Sequence, residues 1–194
     1  MSGAGNSPAI LELVTLPAWL VVSDPRLAPQ VRSLLHRFPE MDGALIRIDT
    51  KRNLRDRRGP VHAAAFLRER RMVFDCTRAE FPRIFVHELF HFVWLRLGNP
   101  LRHAWEDRLT AEFQAGVRGE LGWSAEWRKG ELDEGQITAP GRRWREYCCE
   151  GFCDTAAWLY SGTARHPEFT LPKRWRKARA AWFEAWLAGR RLSI

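Results

Sequence analysis

The sequence predicts an α+β fold, with a small mixed sheet in residues 1–76 and a mainly helical part in residues 77–194. Apolar residues in the first part alternate with period two or form short runs between polar turns, which is typical of strands. Later segments repeat apolar residues at helical spacing and carry capping signals. A chain of 194 residues with 45% hydrophobic content can bury one substantial core, so a single domain over residues 1–194 is expected.

Four strand signals and one helix signal follow a polar leader at residues 1–9. The segment PAWLVVS predicts a short strand, and residues 27–38 predict a helix that Pro39 ends. The segment GALIRIDT alternates over residues 44–49, and VHAAAFL is expected to pair with RMVFDC as a hairpin through the polar RER between them. The charged segment KRNLRDRRG is interpreted as a solvated loop, with a phosphate-binding patch as the alternative.

Four helices are predicted after residue 76. The first has the capping-box spacing of Thr77 and Glu80, contains an apolar run and stops at Leu97 before the sequence GNP. The other three cover residues 103–121, 143–160 and 173–187. The segment WSAEWRKGELDEGQITAPG is rich in glycine and charge, and it is predicted to be a long loop at the rim of a cleft. Three tryptophans at helical spacing in the last helix are interpreted as core residues, not as a stacking platform for bases: Trp175, Trp182 and Trp186.

The chain carries a formal net charge of +8, with 31 Lys and Arg residues. This excess suits an anionic partner such as nucleic acid, and genomic base composition is the alternative explanation. No basic region marks the amino terminus, and Glu12 and Pro17 interrupt its apolar stretch before the roughly 20 residues of a membrane span. Three of the four cysteines lie within residues 148–153, unlike a disulfide framework. A protein of the reducing cytoplasm, without export or membrane anchoring, is therefore expected.

The pentapeptide HELFH occupies residues 87–91, in the middle of the first of these helices. Residues four apart lie on one helix face, so His87 and His91 present two imidazoles to one point in space. Glu88 follows the first histidine and projects close enough to take a proton from a water beside a bound metal. Burying these three polar groups among apolar neighbours without partners would cost on the order of several kcal/mol, and a metal removes that conflict. The alternative is two ordinary histidines beside a helix glutamate.

A catalytic zinc normally has three protein ligands and one open position, so a third ligand is required. The pattern HExxHxxGxxH is excluded, because Trp94 stands in the place of its glycine and Leu97 in the place of its last histidine. On the helix predicted for residues 143–160, three carboxylates are spaced four apart and each could reach a metal on geometry alone. They are Glu146, Glu150 and Asp154.

With the segment REYCCEGFCDTAAW, the sequence resembles the gluzincin group of zincin-like metallopeptidases, which combine HExxH on one helix with ExxxD on the next. The zinc ligands that this resemblance implies are His87, His91 and Glu150. It also implies Glu88 as the general base and Asp154 as the carboxylate that orients the first histidine. The resemblance includes the strand RMVFD before the helix, because zincins line one wall of the cleft with an edge strand.

The residue that would stabilise the oxyanion has no clear match in the sequence. Tyr147, one turn before Glu150, is the best candidate for this role, and His103 and His166 are weaker candidates. Two cysteines spaced four apart on the same helix could be mistaken for soft zinc ligands, and they are predicted to be buried packing residues. They are Cys149 and Cys153.

The resemblance implies a zincin-like fold and a Zn²⁺-dependent metallopeptidase that acts on a peptide or protein substrate. Zn²⁺ would polarise the scissile carbonyl, and Glu88 would carry the proton. The alternative is a nucleic-acid-associated or regulatory protein with a structural or inactive zinc site and an Arg-rich binding surface. A third possibility is that the motifs match by chance and no metal binds.

Overall fold

The structure is a computed structural model that describes residues 16–56, 59–138 and 140–194. Its amino-terminal part forms a small mixed sheet. The leader predicted at residues 1–9 lies outside the described residues. The strands in chain order are β1 (Leu20–Val22), β2 (Met41–Asp42), β3 (Ile46–Thr50), β4 (Ala63–Phe66), β5 (Arg71–Phe74) and β6 (Leu192–Ser193).

The main sheet has the strand order β1-β3-β5-β4. The first three of these strands are parallel, and β4 pairs with β5 as the predicted antiparallel hairpin. Ile46 and Ile48 are buried while Arg47 between them is exposed, which confirms the period-two pattern. The expectation that RMVFD is an edge strand is wrong. It forms β5 in the interior of the sheet, and β4 occupies the edge because the hairpin folds back on that side.

Seven helices are present in the described residues. They are α1 (Ala28–Leu35), α2 (Phe81–Arg96), α3 (Asn99–Gln114), α4 (Trp123–Gly130), α5 (Glu134–Thr138), α6 (Arg142–Tyr160) and α7 (Lys173–Leu187). A mixed fold with a small sheet followed by helices is therefore confirmed. No helix in these described ranges combines the length and the apolar character needed to cross a membrane.

The central helix α2 carries the HELFH pentapeptide between the sheet and α6. Pro82 lies in its first turn, where the missing N–H costs no helical hydrogen bond. The hydroxyl of Thr77 accepts a hydrogen bond from the N–H of Glu80 at 3.3 Å, but this contact lies in the turn before α2, whose N-cap residue is Glu80 and not Thr77. Apolar side chains are buried around most of the helix, from Phe81 to Trp94. A helix packed on two sides explains why HELFH lies in an almost continuous apolar run.

The segment predicted to be a long loop instead contains α4 and α5. α4 begins after Gly122, buries Ala125 and packs against α6, so tertiary contacts outweigh its high content of charge and glycine. The predicted helix over residues 103–121 is also displaced, because it begins at Asn99 and ends at Gln114. Pro100 stands in its first turn and starts this helix, although the sequence GNP had been interpreted only as a stop signal.

The carboxyl terminus returns to the amino-terminal part, where β6 pairs in parallel with β2. This pairing was not predicted, since each strand is only two residues long. In α7 the core interpretation holds for Trp182, which is buried, whereas Trp186 is 39% exposed. Residues 192–193 therefore lie beside β2, while His87, His91 and Glu150 lie where α2 packs against α6.

Candidate metal centre

Two histidines of α2 face each other one helical turn apart. Their Nε2 atoms lie 3.2 Å apart, and the ring centroids of His87 and His91 are separated by 4.9 Å with the rings nearly perpendicular. Both side chains are half-buried on the side of α2 that packs against α6. The helical spacing of the sequence thus brings two imidazole nitrogens to one point, as the pentapeptide predicted.

Glu150 on α6 brings a carboxylate to this point. Its Oε2 lies 3.2 Å from Nε2 of His87, and its Oε1 lies 3.1 Å from Nη2 of Arg128. Single donor atoms of His87, His91 and Glu150 all lie within 4.8 Å of one another. Burial raises the pKa of Glu150, but the hydrogen bond to His87 and the nearby cationic side chains outweigh it and lower the pKa to about 2. The carboxylate is thus held in its charged form.

Asp154 lies one helical turn beyond Glu150 and contacts the opposite side of the His87 ring. Its Oδ1 is 2.7 Å from Nδ1 of His87, and its Oδ2 accepts the N–H of Ala125 at 3.1 Å. Burial alone would lower the pKa of His87, but the two carboxylates of Asp154 and Glu150 raise it well above the ordinary value. The carboxyl group also lies against Gly122, where an added Cβ would be 2.2 Å from Oδ1. Only glycine leaves room for it there.

Glu88 directly follows the first histidine and is half-buried. Within the described part of the chain its carboxylate makes no hydrogen bond or ion pair. Burial raises the pKa of Cys76 to about 11, and the charges of Glu80, Asp75 and, least of all, Glu88 add to this shift. Glu88 therefore adjoins His87 in the chain, and no residue in the described ranges occupies its carboxylate oxygens.

Glu146, another candidate ligand on α6, lies away from the cluster. Its Oε1 accepts a hydrogen bond from Nε of Arg142 at 2.7 Å, and its side chain is 42% exposed. The four-residue spacing put it on the same helix face as Glu150. At Glu146, one turn closer to the start of α6, this face of the helix is exposed to solvent and does not contact the histidines.

Tyr147 is not brought to the cluster. It is fully buried, and its hydroxyl donates a hydrogen bond to Oε1 of Glu120 at 2.6 Å. Glu120 also pairs with Arg179 at 2.7 Å and with Lys129 at 2.9 Å. Burial and the carboxylate of Glu120 raise the pKa of Tyr147 well above its usual range. The predicted role in stabilising an oxyanion therefore has no geometric support, because the phenol belongs to a buried ion-pair network.

The weaker candidates for stabilising an oxyanion, His103 and His166, also lie apart from the cluster. His103 is exposed on α3. His166 is half-buried near the start of α2, where its Nε2 lies 3.3 Å from Oε1 of Glu80. Neither makes a contact with His87 or His91 among the contacts of the described residues.

Two cysteines of α6 approach the far side of His91. The sulfurs of Cys149 and Cys153 lie 3.4 Å and 3.5 Å from its Nδ1. Cys153 is buried as predicted, but Cys149 is only half-buried, and both sulfurs face an imidazole. A hydrogen bond with Cys153, together with the charge of His91, lowers the pKa of Cys149 to about 6. The spacing that sets the two cysteines one turn apart was visible in the sequence, but their direction relative to α2 was not.

The donor set fits a metal ion. Two imidazole nitrogens and one carboxylate oxygen are a common three-ligand set for a catalytic zinc, and other borderline divalent ions accept the same donors. Nδ1 of His87 faces a carboxylate, as expected for a metal-binding histidine. Comparisons with protein-family models, curated proteins and solved structures give no match. The donor atoms of the cluster are therefore the basis on which a function can be proposed.

Proposed function

We propose that this protein is a zinc-dependent metallopeptidase of zincin-like fold. The observation that carries the proposal is the convergence of His87, His91 and Glu150 within 4.8 Å, on two helices. The hydrogen bond at Nδ1 of His87 supports it further. If Asp154 accepts the Nδ1 proton, the neutral ring keeps a lone pair on Nε2, the atom that faces the other two donors.

The zinc would be held by Nε2 of His87, Nε2 of His91 and the carboxylate of Glu150. When bound, it supplies Lewis-acid polarisation of the scissile carbonyl and lowers the pKa of water. Arg128 holds one oxygen of Glu150, and this leaves the other oxygen directed at His87. Arg128 therefore positions the third ligand.

Glu88 is the general base in this proposal. Its carboxylate takes a proton from the water that attacks the scissile carbonyl, and then delivers that proton to the amine leaving group as the C–N bond breaks. A base must be free to accept a proton, and no described residue binds the oxygens of Glu88. Its place next to a metal-binding histidine is the one expected from the HELFH pentapeptide.

Peptide or protein substrates and a cytoplasmic location belong to the same proposal. The substrate class rests on the combined HExxH and ExxxD pattern, and the convergence of His87, His91 and Glu150 supports it. All four cysteines are free thiols, which suits a reducing compartment.

A second candidate function is binding of nucleic acid or another polyanion. Four exposed basic side chains line a cavity near the ends of β3 and β5: Arg26, Lys51, Arg52 and Arg78. With a net charge of +8, this surface offers phosphate contacts. Asp24 offsets part of the charge, because it pairs with Arg26, so the metal cluster remains the better supported assignment.

Hydrolysis of an unfolded protein substrate, with chelator and salt varied independently, tests the two candidates. We expect zinc-loaded protein to cleave the substrate and chelator to stop cleavage at both low and high salt. Binding of a generic oligonucleotide that weakens steeply with salt, without any cleavage by protein carrying one zinc, would favour the polyanion function instead.

A further inference from the structure

His91 has a second coordinating face that the proposed zinc site does not use. Its Nε2 is directed at His87, while its Nδ1 lies 3.4 Å from Sγ of Cys149 and 3.5 Å from Sγ of Cys153. The two nitrogens of one imidazole therefore serve two different sets of neighbours. On the Nδ1 side those neighbours are both sulfur atoms.

The three groups on this side converge as ligands would. Donor atoms of His91, Cys149 and Cys153 all lie within 4.8 Å of one another. The cysteines are one helical turn apart on α6, so both sulfurs reach the same side of the histidine ring. Cys153 is buried and Cys149 is half-buried. No disulfide links them.

The remaining cysteines have other surroundings. Cys148 is buried on a different face of α6, where its backbone carbonyl accepts a hydrogen bond from Nε1 of Trp105 at 2.9 Å. Cys76 lies after β5, beside the cavity at the ends of the strands. Neither sulfur contacts His91 among the described residues, so these two positions provide internal comparisons.

We propose that His91 Nδ1, Cys149 and Cys153 form a second metal site that takes a soft, thiophilic divalent ion. Thiolate sulfur selects such ions over the hard cations that prefer oxygen ligands. Binding requires the two thiols to lose their protons to the buffer while the imidazole of His91 keeps its single proton on Nε2, and no oxidation or reduction takes place. Cadmium is the probe for this chemistry, because it pairs strong thiolate preference with a thiolate-to-metal charge-transfer band in the ultraviolet.

The two sites share one imidazole, so their occupancies are coupled. A neutral imidazole carries its proton on one nitrogen and donates its lone pair from the other. When an ion occupies Nδ1 of His91, the proton moves to Nε2, and Nε2 can no longer bind the ion held with His87. The soft ion therefore weakens binding at the first site, and by linkage the first ion weakens the second to the same extent. This arrangement makes the proposed zinc site sensitive to thiophilic metals.

Cadmium titration of the reduced, metal-free full-length protein tests the second site without reference to hydrolysis. We expect a charge-transfer band that saturates at one ion per chain and is lost in Cys149→Ser and Cys153→Ser. The band should persist in Cys76→Ser, the matched cysteine control, and in Glu150→Gln, which removes a proposed ligand of the first site but no ligand of the second. His91→Ala should also weaken cadmium binding, because it removes the nitrogen ligand.

Two results would overturn the inference. One is a band of wild-type size in the double variant Cys149→Ser, Cys153→Ser, and the other is no band in wild-type protein that circular dichroism shows to be folded. If the buried Cys153→Ser variant does not fold, the half-buried Cys149→Ser variant decides the question alone.

Discussion

Nδ1 of His87 and Oδ1 of Asp154 lie 2.7 Å apart, which links the central helix to α6 through a buried hydrogen bond. The second oxygen of Asp154 binds the N–H of Ala125 in α4. One carboxylate therefore fixes the ring of His87 and anchors a third helix. The orientation of the His87 ring, and with it of Nε2, thus depends on contacts outside the proposed set of ligands.

Removing the carboxylates of α6 one at a time should rank their roles. We expect Asp154→Ala to weaken zinc binding by roughly 10- to 100-fold, because the ring of His87 loses the group that orients it. Glu150→Ala should lose zinc outright, since it removes a ligand. Glu146→Ala should bind like wild type, because Glu146 pairs with Arg142 at the surface. Zinc titration of the three purified variants measures this, and zinc loss in Glu146→Ala with tight binding in Glu150→Ala would move the ligand one turn back.

A methyl group at residue 122 should disturb the site without touching a ligand. An added Cβ at Gly122 would lie 2.2–2.4 Å from the carboxyl group of Asp154, so Gly122→Ala must displace that group or the start of α4. We expect zinc affinity to fall by roughly tenfold or more. Gly130→Ala is the matched control, because a Cβ there has no atom within 4 Å. Equal zinc affinity of the two variants in a competition titration would show that the close packing has no effect on the metal.

Tyr147→Phe should separate a structural role from a catalytic one. The variant removes the hydroxyl that donates to Glu120 at 2.6 Å in a fully buried position. We expect the free energy of unfolding to fall by about 1.5–3 kcal/mol, the usual range for a hydrogen bond to a charged group. Hydrolysis per zinc-loaded molecule should stay unchanged. A large loss of kcat in folded, zinc-loaded protein would restore the oxyanion role that the sequence suggested.

The sequence predicted most of the site, because its main signals are local. His87 and His91 share a helix face by spacing alone, and α6 was predicted to within one residue of its observed start. The hydrogen-bond partner of Tyr147 could not be predicted, for a different reason. Its orientation depends on Glu120, which follows α3 and approaches α6 only in the folded chain. No periodicity in the sequence encodes that contact.

The difference between local signals and long-range contacts also explains which parts of the fold could be predicted. The alternation at Ile46 and Ile48 predicted β3, and the polar turn after VHAAAFL predicted the hairpin. The position of β5 inside the sheet depends on pairing with β3, which is distant in sequence. α4 was missed because its charged sequence becomes helical against α6, where Ala125 is buried and its N–H binds Asp154.

Breaking the buried network next to α6 should destabilise the whole protein. Arg179 is fully buried and pairs with Glu112 at 2.8 Å and Glu120 at 2.7 Å. We expect Arg179→Met to lower the free energy of unfolding by about 3–5 kcal/mol, because two carboxylates lose their buried partner. Lys177→Met on the same helix is the control, since Lys177 is exposed. Similar urea midpoints for the two variants would contradict the importance of the network.

The rate of peptide hydrolysis by zinc-loaded Glu88→Gln protein, relative to wild type at equal zinc content, tests the proposed metallopeptidase most directly. The amide keeps the shape of the side chain but cannot accept a proton from the attacking water. The proposal predicts one zinc per chain in both proteins, with cleavage by the wild type and none by the variant. Cleavage by the variant as fast as by the wild type would contradict it.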